Sequence, residues 1–205
     1  GQLVFGQGTI KTLEVTSGTP NIEAANAALI VTSAVVSNDG LSKSGIGNLT
    51  LKKMANTLTG DISIGGGIFR IGATTNDSIS RQLGNGNFTG NIDIATGAIF
   101  EFYTGTYSDQ EFSGVISGPG PRSKAGAGTL VFSGDNTYGG TTTVNGGTLL
   151  VNGEHTGGSA YSVSAGTLGG GGTINSAVTV GSSGVLTAGT AGTVGSLKIN
   201  GNGTV

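Results

Sequence analysis

Apolar and polar residues alternate along this chain in short runs, as in residues 49–51, 62–64 and 69–71. Alternation with a period of two predicts β-strands that bury one face. Most runs are closed by Gly or Asn, for example by Gly60 and Asn145, which adopt the positive φ angles of tight turns at little cost. The pattern therefore predicts an all-β protein built from short strands and sharp corners.

Much of segment 42–72 occurs a second time in segment 123–153. A constant offset aligns Lys43 with Lys124, and after the loss of one residue a slightly shorter offset aligns the remainder. A repeat of this size is typical of stacked architectures. We predict that the two copies share one local structure and occupy the same position around a coil. The side chains predicted to point inward are Leu49, Leu51, Ile62, Ile64, Phe69 and Ile71, with their counterparts Leu130, Phe132, Val144, Leu149 and Val151.

The strongest apolar positions recur in steps of roughly 18 to 20 residues, which suits one circuit of a solenoid. They are Leu49, Phe69, Phe88 and Tyr107 in the first half, and Leu130, Leu149, Leu168, Leu186 and Val205 in the second. We predict a single domain, residues 1–205, folded as a parallel β-helix of about ten coils of roughly 20 residues, with a shaft about 50 Å long. A β-sandwich or a propeller is the alternative, although neither explains the residue-level repeat.

Composition excludes several functions. The chain has 42 Gly, only 3 Pro, 10% charged residues and a net charge of −2, so no long-range field attracts nucleic acid or an anionic membrane. The few Lys and Arg residues are interpreted as solvated edges of coils. There is no Cys, which excludes disulfides and thiolate zinc sites. No apolar run is long enough for a membrane-spanning helix.

Three segments interrupt the regular pattern. Residues 20–30 contain four Ala, and both a short helix and a loop with one strand stay open as interpretations. In the aromatic segment that follows residue 97, Phe100 and Phe102 are predicted in the core and Tyr103 nearer the surface. Residues 114–123 contain two prolines and are predicted to form a protruding turn.

No catalytic, cofactor-binding or metal-binding residue is predicted. Asp61, Asp77, Asp93 and Asp109 are evenly spaced along the sequence, and this regularity raises the question of a calcium-binding ladder. The interval between these aspartates is shorter than the interval between the strongest apolar positions. The spacing therefore leaves calcium binding by this series undecided. The sole histidine, His155, has no second ligand or nucleophile beside it and is interpreted as a surface-loop residue.

Residues 124–152, KAGAGTLVFSGDNTYGGTTTVNGGTLLVN, strongly resemble the autotransporter-associated β-strand repeat, also called the passenger-associated transport repeat. The resemblance extends over roughly residues 41–195 and departs at residues 52–54, where the family tends to have Ser-Gly-Ala. It implies a right-handed parallel β-helix in the passenger of a type V secreted bacterial protein, carried through the outer membrane by a C-terminal β-barrel. The translocator barrel is expected to lie outside this chain.

The resemblance and the scarcity of charge favour a non-catalytic scaffold or stalk of an exported, adhesin-like surface protein, whose repeats assist export and folding. The alternatives are a self-assembling extracellular fibre subunit and a carbohydrate-acting enzyme, which would need a charged cleft. A surface glycan is open as a ligand. Both ends of the chain alternate without a polar cap, so we expect further coils of the same polypeptide or end-to-end self-association.

Overall fold

The protein is an all-β parallel solenoid, as predicted. The computed structural model describes residues 2–5, 8–10, 13–14, 18–26, 28–32, 35–52, 56–72, 82–103, 109–189 and 194–204. The strands in chain order are β1 (Gln2–Phe5), β2 (Gly8–Ile10), β3 (Leu13–Glu14), β4 (Asn21–Ala24), β5 (Ala28–Val31), β6 (Val35–Ser37), β7 (Leu41–Ser44), β8 (Asn48–Leu51), β9 (Thr57–Leu58), β10 (Ile62–Ile64), β11 (Gly67–Gly72), β12 (Asn87–Phe88), β13 (Ile92–Ile94), β14 (Ala98–Tyr103), β15 (Gln110–Phe112), β16 (Ile116–Ser117), β17 (Arg122–Ala125), β18 (Thr129–Phe132), β19 (Thr142–Val151), β20 (Glu154–His155), β21 (Tyr161–Gly169), β22 (Thr173–Ile174), β23 (Val178–Leu186), β24 (Lys198–Ile199) and β25 (Gly203–Thr204). A 3-10 turn, Gly84–Gly86, precedes β12.

These strands stack into three faces, and every pairing between two named strands is parallel. The first face is β1-β4-β7-β10-β13-β16, and its line continues through a bridge from Asn136 to His155 into β20-β22-β24. The second face contains β2, β5, β8, β11, β14 and β17, the first halves of β19, β21 and β23, and finally β25, which makes ten strand positions among the described residues. The third face contains β3, β6, β9, β12, β15 and β18, and then the second halves of β19, β21 and β23.

The core runs along the axis of the shaft as columns of inward side chains. All eleven residues predicted to point inward are at most 2% exposed. Phe100 and Phe102 are buried as predicted, whereas Tyr103 is half-buried. Because each coil places its inward side chain directly over the one below, the burial is continuous from coil to coil. Phe88 is also buried, while Tyr107 and Val205 lie outside the described residues.

The two sequence copies fold alike but do not occupy the same position around the coil, so that part of the prediction is wrong. The first copy begins at β7 on the first face, and its counterpart β17 lies on the second face, against β14. The reason is coil length, because the coils that join Ile62 to its register partner Ile92, and Ile92 to Ile116, are longer than the expected repeat. From the start of the first copy to the start of the second, the chain therefore makes three full turns of the solenoid and passes on to the next face. Coils of equal length would have given four full turns.

The two irregular segments also differ from expectation. The described residues of segment 20–30 form β4 and most of β5, so the short helix is wrong, and the segment holds two strands where the other interpretation had one. Residues 114–123 do not protrude as a loop, because the Gly120 amide donates to the Ile94 carbonyl of the coil below and the Pro121 carbonyl accepts from the Phe100 amide. Within the described residues no helix is long and apolar enough to span a membrane.

Candidate functional site

The most distinctive chemical feature of the first copy is a buried lysine at the corner between the first and second faces. Lys43 follows Leu41 on the inward side of β7 and is 0% exposed. Its Nζ donates to the carbonyls of Ser44 at 3.1 Å, Gly45 at 2.7 Å and Gly66 at 2.6 Å. Since Gly66 belongs to the next coil, the ammonium group ties two coils together at this corner.

The second copy repeats the same arrangement at a different corner. Lys124 is 1% exposed, and its Nζ donates to the carbonyls of Ala125 at 3.0 Å, Gly126 at 2.9 Å and Gly146 at 3.1 Å. These atoms lie at the corner between the second and third faces, which is the corner that follows the one occupied by Lys43. We call each set of three carbonyls with its ammonium group a lysine corner. The lysine corner occurs at the same position of each repeat but at different corners of the solenoid. It is therefore a feature of the repeat and not of one side of the shaft.

Burial sets the protonation behaviour of both lysines. Loss of hydration lowers the pKa of Lys43 to about 8 and that of Lys124 to about 8, and the Asp109 carboxylate opposes the shift at Lys124. Three carbonyl acceptors replace the lost water around each ammonium group, which is how a charged group is held in a core. The glycines of the corner are required as well. Gly45 has φ +76, and a Cβ there would overlap the Ala24 carbonyl oxygen.

A buried amide follows each lysine corner along the chain. Asn56 Oδ1 accepts a hydrogen bond from the Val35 amide at 2.8 Å, and Asn136 Oδ1 accepts one from the Ile116 amide at 2.8 Å. Both asparagines are at most 1% exposed. Each side chain satisfies a buried backbone N–H of the preceding coil, outside the repeat itself, so the asparagine joins the repeat to the coil before it.

A stack of polar and aromatic side chains fills the shaft after the second lysine corner. The guanidinium carbon of Arg122 lies 3.3 Å from the centroid of the Tyr138 ring, and the His155 ring stacks on Tyr138 at 3.9 Å. The Tyr138 hydroxyl shares a hydrogen bond with the Tyr161 hydroxyl and accepts one from Thr142 Oγ1 at 3.1 Å. The cation–π contact and a hydrogen bond that Arg122 donates to the Gly120 carbonyl stabilise the buried guanidinium group in part.

Burial of the stack favours the neutral forms of His155, Tyr138 and Tyr161. Burial lowers the pKa of His155 and raises the pKa of both Tyr138 and Tyr161, well above its usual value in the case of Tyr161. His155 Nε2 lies 3.0 Å from the Tyr138 carbonyl, so this nitrogen carries the proton and Nδ1 is unprotonated. All of these rings are closed off from solvent. The stack therefore fills the interior of the shaft, where a substrate cannot reach it.

The comparisons with known proteins match these two segments. A family model described as the passenger-associated-transport-repeat matches residues 41–71 and 123–151, which are the segments that carry the two lysine corners. The segments are passenger-associated transport repeats. The first transport repeat thus contains β7 to β11, and the second contains β17 to β19.

A curated relative is similar to most of the chain. The chain is 32% identical over 166 residues to a protein called "Adhesin BmaC autotransporter" from Brucella suis biovar 1 (strain 1330). The match covers 71% of this chain and 5% of the relative, so the chain spans about one twentieth of the relative's length. No solved structure matches the chain.

An open groove of about 640 Å³ crosses the first face, lined partly by the first transport repeat and partly by the neighbouring coils. Its polar lining includes Asp39, Asp61 and Asp93, and each of these carboxylates already has a partner. Asp39 accepts from the Gly18 amide at 2.7 Å, Asp61 from the Asn91 amide at 2.8 Å, and Asp93 from the Ser117 hydroxyl at 2.8 Å. The three carboxylates thus form hydrogen bonds between neighbouring coils and remain accessible to solvent.

The evenly spaced aspartates do not stack on one another in the described part of the chain. Asp93 is the register partner of Ser63 and not of Asp61, while Asp109 lies on the third face, where it accepts from the Thr129 amide at 3.0 Å. Asp77 lies outside the described residues. Among the residues that the structure describes, no group of three or more His, Cys, Asp or Glu side chains is close enough to hold a metal ion.

Two interpretations of charged or polar residues are wrong. His155 is 0% exposed and lies inside the shaft, not in a surface loop, because β20 continues the first face and turns this side chain inward. Lys43, Lys124 and Arg122 are buried and are not solvated edges. The sequence does contain evidence for the burial of these three cationic residues. Arg122 and Lys124 alternate in the same phase as the apolar residues, and a lysine stands at the same position of both repeats.

We expect the two buried amines to resist chemical modification. Free amines with a pKa near 8 would react faster than ordinary lysines at pH 8, but acylating reagents cannot reach Lys43 or Lys124. Brief treatment of the folded protein with an N-hydroxysuccinimide ester, followed by peptide mass spectrometry, should label exposed Lys198 and spare both repeat lysines. Labelling in denaturant provides the control, since all three lysines then react. Equal labelling of Lys124 and Lys198 in the folded state would contradict the lysine corners.

The pH dependence of stability should carry the signature of His155. Its folded pKa lies below the unfolded value of about 6.5, so its contribution is fully present above pH 6.5 and falls as the pH drops below it. Below pH 6.5 the loss amounts to at most about 1.4 kcal/mol per pH unit. Urea unfolding at pH 7.5 and pH 5.5 measures it, with His155→Phe as the matched control because the chain has no other histidine. The same drop in both proteins would refute the assignment.

Proposed function

We propose that this chain is a non-catalytic scaffold segment of an exported bacterial surface protein. The observation that carries the proposal is a continuous parallel ladder, ten strand positions long on the second face among the described residues, that contains two passenger-associated transport repeats. The name of the relative, an adhesin autotransporter, supports an adhesin-like context. The location follows from this context: the segment acts outside the cell, held at the surface by a translocator elsewhere in the polypeptide.

The repeats assist export and folding through their self-contained corners. A solenoid is stabilised by contacts between neighbouring coils, so a chain that emerges unfolded is able to fold coil by coil. Each transport repeat brings a lysine corner and a buried asparagine that close two successive coils without help from distant segments. A chain without cysteine also forms no disulfide before it crosses a membrane. The repeat therefore acts as a local folding unit on the far side.

Surface display tests this proposal. The 205 residues are placed between a secretion signal and a bacterial translocator, and the fraction accessible to external protease is measured in intact cells. The double variant Lys43→Met/Lys124→Met should show several-fold lower display, while Lys198→Met, which alters an exposed lysine, should match the wild type. Phe112→Ala, whose expected loss of stability of about 3–5 kcal/mol is closer to that of the double variant, separates a specific repeat effect from a general loss of stability. Undiminished display of the double variant would overturn the export role.

Two other functions rank below the scaffold. A carbohydrate-acting enzyme would need an accessible acid–base pair, whereas the polar stack around Tyr138 is closed to solvent. Incubation with a panel of polysaccharides would support the enzyme instead if new reducing ends or unsaturated products formed. A glycan partner is a proposal as well, and the groove beside Asp61 is where its hydroxyl groups would meet accessible carboxylates. Further coils of the same polypeptide are the proposed neighbours along the shaft.

A further inference from the structure

An aromatic ring faces outward from the second face at Tyr103. Tyr103 is half-buried on β14, whereas every other aromatic side chain whose exposure the structure describes is buried in the core. Its register partners in the two neighbouring coils are Gly72 and Ala125. Position 72 accepts no larger residue, because Gly72 has φ +96 and a Cβ there would overlap the Tyr103 carbonyl oxygen. The Tyr103 ring therefore has no large side chain beside it in its own column.

An ion pair occupies the adjacent outward column. Arg70 and Glu101 are register partners, and Arg70 Nε donates to Glu101 Oε2 at 2.6 Å, while Arg70 Nη2 lies 2.5 Å from the same oxygen. Each of the two side chains is 28% exposed. Since both contacts use Oε2, Glu101 Oε1 accepts from no described residue and is able to accept from a ligand. The opposite charges cancel, so this surface suits a neutral ligand with hydrogen-bonding groups better than an ion.

Polar side chains of the next two coils complete a small pocket. Ser123 is the next register partner of Glu101, and the exposed Asn145 donates from Nδ2 to Ser123 Oγ at 3.3 Å. The opening between these groups has a volume of about 170 Å³. Pockets for drug-sized ligands have about 300–1,000 Å³, so this one has room for a group of about the size of one sugar ring. We call it the Tyr103 pocket, and its outward-facing lining residues are Arg70, Glu101, Tyr103, Ser123, Ala125 and Asn145.

We propose that the Tyr103 pocket binds one neutral sugar ring of a glycan. A sugar ring has C–H groups on its faces, which pack on a tyrosine ring, and hydroxyl groups around its rim, which both donate and accept hydrogen bonds. The pocket combines a phenol ring with a carboxylate acceptor, guanidinium donors and an amide that does both. The groove beside Asp61 has no aromatic residue among the described residues that line it. The inference rests on the glycan partner proposed above and names a site for it other than that groove.

A titration followed by ¹H–¹⁵N correlation NMR tests the pocket and locates the ligand. The probes are the methyl glycosides of glucose, galactose, mannose and N-acetylglucosamine, offered singly to the 205-residue protein. At least one of them should bind with a Kd of about 1–10 mM, because a single ring provides few contacts. The amide signals of Tyr103, Ser123 and Asn145 should shift together, while the signals of residues beside Asp61 should stay in place.

Variants at the two surfaces separate the pocket from the groove. Tyr103→Ala should weaken binding by at least about tenfold, whereas Tyr103→Phe keeps the ring and should bind within about threefold of the wild type. Asp61→Asn is the matched control, because it alters the groove of the first face, and it should bind like the wild type. Circular dichroism of each variant checks that the fold is intact.

Three results would overturn the inference. They are the absence of shifts with every glycoside up to about 50 mM, a Tyr103→Ala protein that binds like the wild type, and shifts that cluster around Asp61. The last result would keep the glycan partner and place it in the groove, whereas the first would remove the glycan partner as well. The scaffold role is measured separately by surface display, and none of these results affects it.

Discussion

Replacement of Phe112 by alanine is expected to lower the free energy of unfolding by about 3–5 kcal/mol. Phe112 is 1% exposed and lies at the centre of an aromatic cluster. Its ring centroid is 5.4 Å from that of Phe102, 5.8 Å from Phe100, 6.1 Å from Phe88 and 6.2 Å from Phe132. These rings come from several successive strands of the second and third faces, so truncation leaves a cavity that no single coil is able to close.

Urea unfolding followed by circular dichroism measures this loss. Tyr103→Ala is the matched control: Tyr103 is half-buried on β14, and its truncation should cost no more than about 1 kcal/mol. Phe112→Leu keeps most of the volume and should cost less than about 2 kcal/mol, which keeps the test usable if the alanine variant fails to fold. A cost for Phe112→Ala no greater than that of the control would contradict the prediction, since burial of the ring's apolar area alone accounts for more.

The aromatic cluster also shows which parts of the fold were predictable. Alternation with a period of two fixes both the secondary structure and the buried face of a strand, because a shift of one residue turns every side chain to the other side. For this reason Phe69, Leu149 and the other inward residues were assigned correctly from the pattern. The same pattern carries no information about which segments stack as neighbours, and the repeat supplied only the stacked architecture.

The position of each repeat around the coil was not predictable from its offset. A sequence offset counts residues, whereas the position on the shaft depends on turns, and the two agree only when all coils have equal length. Between the repeats, the chain takes a much longer path from Phe69 to its register partner Phe100 than it takes from Leu49 to Phe69. Solenoids accept such insertions because a longer corner costs little closure entropy.

The buried polar residues were missed for a different reason. A lysine or a histidine is normally exposed, and that prior outweighed the alternation that places Lys43 and His155 inward. What makes the burial of a lysine possible is the set of backbone carbonyls at a corner, and one of these carbonyls belongs to the following coil. An acceptor that belongs to another coil cannot be recognised from the residues next to the lysine in the sequence. The recurrence of the lysine at the same position in both repeats was the sequence signal that pointed to a shared structural role.

The lysine corner itself yields the second large prediction. Lys124→Met should lower the free energy of unfolding by about 2–4 kcal/mol, because the partly buried carbonyls of Ala125, Gly126 and Gly146 lose their shared donor. Methionine keeps a similar volume and fills the space flexibly, so the change tests the ammonium group and not the packing. Lys43→Met should show a loss of the same size, since its cage has the same three positions of the repeat.

Urea unfolding at pH 7 measures both losses, and Lys198→Met, at an exposed site, should lie within about 0.5 kcal/mol of the wild type. The pH dependence adds an independent readout. Because the folded pKa of Lys124 is lowered from 10.5 to about 8, the unfolded chain binds the extra proton between these values, and wild-type stability should rise as the pH increases from 8 to 10.5. Lys124→Met should lose part of that rise. An equally or more stable Lys124→Met protein would contradict the prediction, since it would mean that the cost of burying the charge exceeds what the three carbonyls return.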